Sequence, residues 1–329
     1  MPEGNRSLSI VVPVFNSEAS LRTLVERLAE VSRREAWDAE ILLVNDGSRD
    51  GSWERIRELA AGNPAVRGLN LMRNYGQHNA LLCGIRAARY EIAVTLDDDL
   101  QHPPEEIPKL LERLRGECDV VYGTPEQEQH GLWRNFASRL TKLALQAAMG
   151  APQARHVSAF RAFRTSLRQA FAGYQGPYVS IDVLLSWGTT RFEAVCVRHE
   201  PRRAGRSNYT FRKLLTHALN LMTGFSTWPL KMASWLGFAL TLFGFLVLAY
   251  VLIRYFIQGG SVPGFPFLAS IIAIFSGAQM FALGIMGEYL ARVHFRLMDR
   301  PPYAVREAVE AGSGGEAAKA DAAWLSKRI

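Results

Sequence analysis

The chain has 329 residues and a formal net charge of +7 at neutral pH, and it is 48% apolar and 21% charged. That balance excludes a disordered chain, a collagen and a disulfide-stapled mini-protein. A mean hydropathy near zero hides an uneven distribution: residues 1–228 mix charged and apolar side chains, residues 229–290 are strongly apolar, and the C-terminal stretch is mostly Ala, Gly, Glu and Lys.

The first apolar run, Ile10–Phe15, is too short for a signal peptide, so the N-terminal part is expected in the cytosol. From there, Leu8–Phe15, Glu40–Val44, Val66–Leu71, Ile92–Leu96 and Asp119–Tyr122 are short apolar runs rich in β-branched residues and read as strands. Between them Glu18–Val31, Ser52–Ala60, Asn79–Ala88 and Glu105–Leu114 carry helical patterns. Pro104 suits the first turn of the last of these, and Glu105 and Glu106 complement its dipole. Such alternation argues for an α/β domain with a mostly parallel, three-layer sheet. Cys83, Cys118 and Cys196 are widely spaced, form no metal-binding pattern and are expected to be reduced, buried thiols.

In parallel sheets ligands bind at the carboxyl ends of the strands, and polar residues crowd those ends here. The first strand runs into Pro13-Val14-Phe15-Asn16-Ser17-Glu18 and the second into Asn45-Asp46-Gly47-Ser48. The third runs into Arg73-Asn74-Tyr75-Gly76-Gln77-His78 and the fourth into Asp97-Asp98-Asp99-Leu100-Gln101. Neither a GxGxxG nor a Walker A pattern is present. Three adjacent carboxylates repel one another, and a hard divalent cation held by oxygens would relieve that repulsion. Gln101 can add a neutral oxygen, and Mg²⁺ or Mn²⁺ there would bridge substrate phosphates.

Further along, Trp235–Ile253 and Phe265–Gly287 are each free of charge and long enough to cross a bilayer. A short Gly- and Pro-containing loop joins them, so they read as a two-helix hairpin. Arg212, Lys213 and Lys231 precede the pair, Arg292, Arg296 and Arg300 follow it, and the loop has no Lys or Arg. The positive-inside rule then puts both flanks in the cytoplasm. Arg254 lies where it can snorkel to the interface. Phe211, Leu214, Leu215, Ala218, Leu219 and Met222 recur at helical spacing and suggest an interfacial amphipathic helix. The stretch Ala308–Ile329 reads as mostly disordered, with Trp324 marking a short contact segment.

The ordered set Pro-Val-Phe-Asn, Asn-Asp-Gly-Ser, Arg-Asn-Tyr-Gly-Gln-His and Asp-Asp-Asp-Leu-Gln-His-Pro-Pro resembles glycosyltransferase family 2. Together with the C-terminal hairpin it is most similar to the polyprenyl-phosphate glycosyltransferases, the relatives of dolichyl-phosphate mannose synthase. Arg73–His78 and Pro103–Pro108 resemble above all the branch that moves 4-deoxy-4-formamido-L-arabinose onto undecaprenyl phosphate. The resemblance implies a GT-A fold, a nucleotide diphospho-sugar donor and a polyprenyl phosphate acceptor at the inner membrane. It implies roles as well. Pro13, Phe15, Glu18, Asp46, Asp97 and Asp98 would bind the donor, and Asp97, Asp99 and Gln101 would hold the metal. Arg202 and Ser207, in an Arg-x-x-Gly-x-Ser pattern, would belong to a loop closing over the diphosphate, with Asp99 and Arg202 as the catalytic pair. Arg134 and Ser138, one helical turn apart, would grip the acceptor phosphate.

The sequence departs from the family pattern at Ser17, where Glu is usual and Glu18 follows one step later. Pro125 and Glu126 follow Gly123 where an Arg is common, and Asn208 replaces a Lys, so acceptor binding would lean on Arg134 with Arg161 or Arg164 in support. The expected layout is a catalytic domain over 1–208, an interfacial region over 209–230, spans near 235–256 and 265–288 within 231–292, and a cytosolic, largely disordered tail over 293–329. No nucleic acid is expected as a partner, and Gly284 and Gly287 would allow close helix approach in a homo-oligomer. A processive polysaccharide synthase would carry Gln-x-x-Arg-Trp and more spans, which this chain lacks. A non-catalytic sugar-nucleotide sensor would have no need of the acidic triplet with Arg202. The sugar itself has no readable code.

Overall fold

The computed structural model describes residues 7–125, 157–176, 179–200, 228–258, 264–298 and 300–311. In chain order these form β1 (Ser7–Val14), α1 (Glu18–Arg34), β2 (Asp38–Asn45), α2 (Ser52–Gly62), β3 (Val66–Leu71), α3 (Gln77–Ala87) and β4 (Ile92–Thr95). A 3₁₀ turn (Pro104–Glu106) leads into α4 (Ile107–Leu114), followed by β5 (Val120–Pro125), β6 (Arg161–Arg164), a second 3₁₀ segment (Thr165–Phe171), α5 (Ile181–Gly188) and β7 (Phe192–Val197). Two long helices, α6 (Trp228–Gln258) and α7 (Phe265–Leu297), precede a last strand, β8 (Val305–Glu310).

All eight strands join one sheet in the order β7-β5-β6-β4-β1-β2-β3-β8. Strands β1 to β5 and β7 run parallel, while β6 and β8 are antiparallel to their neighbours. Alternation along the strands divides the apolar side chains between two faces. Ile10, Val12, Ile41 and Leu43 face the layer of α1, α2 and α4, whereas Val11, Leu42 and Val44 face that of α3 and α5. The second face is closely packed: a Cβ on Gly84 of α3 would fall 2.3 Å from Val11 Cγ1. Two arginines stitch α3 to the segment after β6. Arg86 donates to the carbonyls of Ala172 and Tyr174 at 2.9 and 2.8 Å, and Arg168 donates to Ala88 O at 2.6 Å, supplying partners to carbonyls that a helix end leaves open.

The five strands and four helices expected up to Tyr122 are present at or near the expected positions. Strands β6, β7 and β8 go beyond the expectation. Val305–Glu310 corrects the tail: the segment pairs along β3, Trp53 Nε1 donates to Glu307 at 3.2 Å, and Arg67 and Arg89 flank Glu310 at 3.2 and 2.9 Å. The two expected spans correspond to α6 and α7, which pack together and expose large apolar side chains such as Phe238, Phe245, Ile272 and Phe281. Among the described residues, one helix segment, Pro229–Arg254, meets both length and composition for a bilayer crossing. The interfacial helix, Trp324 and the rest of the tail lie outside the described residues. Of the three thiols, Cys83 and Cys118 are buried as expected, but Cys196, on the edge strand β7, is exposed.

The core also holds a charge. Arg161 on β6 is buried, pairs with the Asp182 carboxylate, and that carboxylate accepts a second hydrogen bond from Tyr122 Oη at 3.0 Å. Removing one partner strands the other in a dry environment. Arg161→Leu is therefore expected to destabilise the domain by about 3–5 kcal/mol, read as a shift of the unfolding midpoint of the purified protein.

Candidate active site

The carboxyl ends of β1, β2, β3 and β4 bring the four polar motifs to one rim. Strand β2 delivers Asp46, which is almost fully buried and accepts hydrogen bonds from Tyr75 N at 2.7 Å and Gly76 N at 2.8 Å. Burial lifts its carboxyl above the ordinary aspartate value, and the two backbone N–H groups oppose that lift. Asp46 thus orders the Arg73–Gly76 loop, and its remaining lone pairs are what a nucleobase would have to use. The next residue must be glycine. Gly47 has φ +67°, and a Cβ there would lie 2.5 Å from Asn74 N.

The first loop interlocks with the second. Asn16, at φ +55°, donates its N–H to Ser48 Oγ at 3.0 Å, and its Oδ1 accepts from Arg49 N at 2.8 Å. Glu18 accepts from Gly51 N at 3.1 Å, at the start of α2. The structure therefore places Glu18 in the loop interlock and leaves Phe15 partly exposed on the rim.

The acidic triplet follows β4, and its members have separate partners. Asp97 Oδ1 accepts from Gln77 Nε2 at 2.6 Å, Asp98 Oδ2 from Phe15 N at 3.2 Å, and Asp99 Oδ1 from Gln101 N at 3.0 Å across Leu100, whose φ is +62°. Burial raises the Asp98 carboxyl above its ordinary value; hydrogen bonds from Ser17 and Phe15 pull it down, and the charge of Asp99 pushes it further up. Non-glycine residues at positive φ on both sides of the site, Asn16 and Leu100, are the kind of local strain that clusters at functional sites.

Two carboxylates, Asp97 and Asp99, and the Gln101 amide are hard oxygen donors that fit a Mg²⁺ or Mn²⁺ ion. Among the described residues no group of three or more His, Cys, Asp or Glu side chains could hold a metal alone. Such an ion would take its remaining ligands from water and phosphate oxygens, as Mg²⁺ ordinarily does.

Sequence reasoning missed a second group. Gln101 O accepts from Glu200 N at 2.9 Å, and the His102 ring stacks on Phe160 and meets His199 edge-on at 5.2 Å. Burial, helped by His199, lowers His102 to about 4, so it is neutral at pH 7. From α1, Arg27 donates to both oxygens of Glu105 at 3.0 and 2.6 Å and to Glu200 at 3.1 Å, while Arg198 pairs with Glu106 at 2.8 Å. The segment leading to residues 202–207 is thus anchored on the acidic turn and the helix after it. The Asp-Asp-Asp-Leu-Gln-His-Pro-Pro motif contained His102, but nothing local pointed to its partners Phe160 and His199, far along the chain.

Other expected residues fall elsewhere. Arg134, Ser138, Arg202 and Ser207 lie outside the described residues. Arg161 does not serve a phosphate, because Asp182 neutralises it in the core. Arg164 pairs with Asp119 at 3.4 Å and stands opposite Ile92, at the far end of β4 from the acidic triplet.

Gly47→Ala is expected to cost about 1–3 kcal/mol in unfolding free energy, measured by chemical denaturation, because its Cβ would push into the Arg73–Asn74 backbone. Partial burial pushes Glu105 up, but the hydrogen bond and charge of Arg27 outweigh it and hold the carboxyl below its ordinary 4.5. A depressed carboxylate stabilises the fold above pH 4.5, and that contribution is lost as pH falls through the lower folded value. Melting curves from about pH 7 to about pH 3 should show a smaller acid-induced loss in Arg27→Met than in the wild type.

The chain matches the family described as Glycosyl transferase family 2 over residues 9–171. It is 35% identical over 307 residues to an undecaprenyl-phosphate 4-deoxy-4-formamido-L-arabinose transferase of Pseudomonas paraeruginosa, covering 92% of this chain and 91% of that one. A transferase of the same name from Pectobacterium atrosepticum is 34% identical over 313 residues, covering 94% and 95%. The crystal structure of glucosyl-3-phosphoglycerate synthase from Mycobacterium tuberculosis with Mn²⁺, UDP and phosphoglyceric acid is 20% identical, with a TM-score of 0.49 over 66% of this chain and 76% of that one. The mostly parallel, Rossmann-like sheet is the GT-A-like fold that the motifs implied. With relatives of this identity aligned over nine-tenths of its length, the chain belongs to glycosyltransferase family 2 and is a glycosyltransferase.

Proposed function

We propose that this enzyme transfers one sugar from a nucleotide diphospho-sugar, a UDP-sugar in the first instance, onto undecaprenyl phosphate or a close polyprenyl phosphate, with inversion at the anomeric carbon. The observation that carries this reading is the convergence of Asp46, Asp97, Asp98 and Asp99 on one rim of the sheet. The relatives' printed name supports the acceptor. The 4-deoxy-4-formamido-L-arabinose group of those relatives is the first donor sugar to try.

The acceptor phosphate oxygen forms a bond to the anomeric carbon while the bond from that carbon to the nucleoside diphosphate breaks on the opposite face. A phosphate monoester with a second pKa near 6 is mostly dianionic at neutral pH and needs little help from a general base. The chain's work is alignment and charge neutralisation. Asp46 orders the loop beside the base, Asp98 pins Phe15 at the rim, and Gln77 and Gln101 fix Asp97 and Asp99. A bound Mg²⁺ or Mn²⁺ held by Asp97, Asp99 and Gln101 would offset charge on the leaving diphosphate. Arg202 and Ser207 would close over that diphosphate, and Arg134 with Ser138 would hold the acceptor.

The same reading places the enzyme on the cytoplasmic face of the inner membrane. Strands β7 and β8 lie on either side of the helix pair in sequence yet belong to one sheet. If α6 crosses the bilayer, the chain must return to pair β8 with β3, and α7 is the segment available for the return. This supports a two-span hairpin with both flanks on one side.

Purified enzyme, Mn²⁺, a panel of labelled UDP-sugars and undecaprenyl phosphate should yield a labelled glycolipid, and EDTA should abolish it. Asp99→Ala should lower kcat at least 100-fold, on the scale of losing a strong electrostatic contact in the transition state. Undiminished turnover in Asp99→Ala would remove the metal assignment.

A further inference from the structure

We infer that β8 is a second tether which, with the exit from β7, holds the active-site rim against the bilayer; this rests on the lipid acceptor proposed above. The chain leaves the catalytic sheet at the carboxyl end of β7 and re-enters it at the start of β8. Because β7 is parallel and β8 antiparallel to the central strands, both points lie on the rim that carries Asp46 and Asp97–Asp99. They are also at opposite edges: β7 and β8 are the first and last of eight strands. Seven inter-strand steps separate them, roughly 34 Å at about 4.8 Å per step.

A single attachment would leave the domain free to swivel about one point. The attachment at β8 is short: residues 298–304 alone separate α7 from β8, which limits that swivel and keeps this end of the rim, with its carboxylates, at the surface where a lipid phosphate is presented.

The re-entry is firmly seated. Met72 N donates to Ala304 O at 2.9 Å, Arg306 donates to Met72 O at 3.0 Å, and Pro302 and Tyr303 are buried. The Tyr303 ring packs in the α3 layer, with the Arg86 guanidinium 5.8 Å from its centroid. The outer corner made by this seat suits an anionic membrane. Met72 is 51% exposed, with the exposed Arg73 beside it in sequence and the exposed Arg306 donating to its carbonyl, an apolar side chain next to two cations.

The test lengthens the tether without removing the strand. A flexible Gly/Ser insert of about 20 residues between Arg300 and Pro301 leaves β8 able to pair but frees the domain to turn. Transfer to undecaprenyl phosphate in anionic phospholipid vesicles should fall at least tenfold, while transfer to a short, water-soluble polyprenyl phosphate stays within about twofold. Equal rates with both acceptors, or an equal fall in both, would overturn the tether. A wild type inactive toward both acceptors would instead overturn the proposed function. In a Cys196→Ser background, Met72→Cys with Ala304→Cys should cross-link within one chain under mild oxidation. A cross-linked dimer would assign the strand to a neighbouring copy and refute a tether within the chain.

Discussion

Everything at this site depends on keeping several carboxylates together at the ends of adjacent parallel strands. Like charges in a partly buried place repel, and the chain does not disperse them. It gives each a donor: Tyr75 and Gly76 N–H for Asp46, the Gln77 amide for Asp97, Phe15 N–H for Asp98 and Gln101 N–H for Asp99. The donors come from the loops after β1 and β3, from the first residue of α3 and from the acidic turn itself, so the charges that threaten the rim also fix its loops. Such pre-ordering keeps the reorganisation cost low when a charged substrate arrives.

The same logic extends outward in layers. Arg27 and Arg198 fasten the segment after β7 to the turn that holds Asp99, through Glu105, Glu106 and Glu200. Beyond it the chain passes to the helix pair and comes back as β8 on the opposite edge of the sheet. The acidic rim, the segment just after β7 and the returning strand β8 are thus all carried by one sheet.

Much of this was legible in the sequence because the informative signals are local. Strand β3 has the expected bounds, and β1, β2 and β4 differ by a residue or two, since apolar β-branched runs between polar loops leave little choice. The Asp-Asp-Asp turn and the long apolar helices are also local signals. What stayed hidden is non-local. Arg-Ala-Phe-Arg does not look like a strand until Ala162 and Phe163 are seen packed between β4 and β5. Val-Arg-Glu-Ala-Val-Glu reads as tail, because its partners Trp53, Arg67 and Arg89 lie more than two hundred residues earlier. Arg161 and Arg164 looked equally suited to a phosphate, and only register separates a core ion pair from a residue on the wrong rim.

The most direct measurement is a crystal structure of the enzyme grown with Mn²⁺ and a nucleoside diphosphate, with the metal located by anomalous scattering. The peak is expected between Asp97, Asp99 and Gln101, beside the diphosphate, with the base near Asp46. A nucleotide bound elsewhere, or bound at this rim with the metal away from all three side chains, would contradict a cation-dependent donor site at the end of β4.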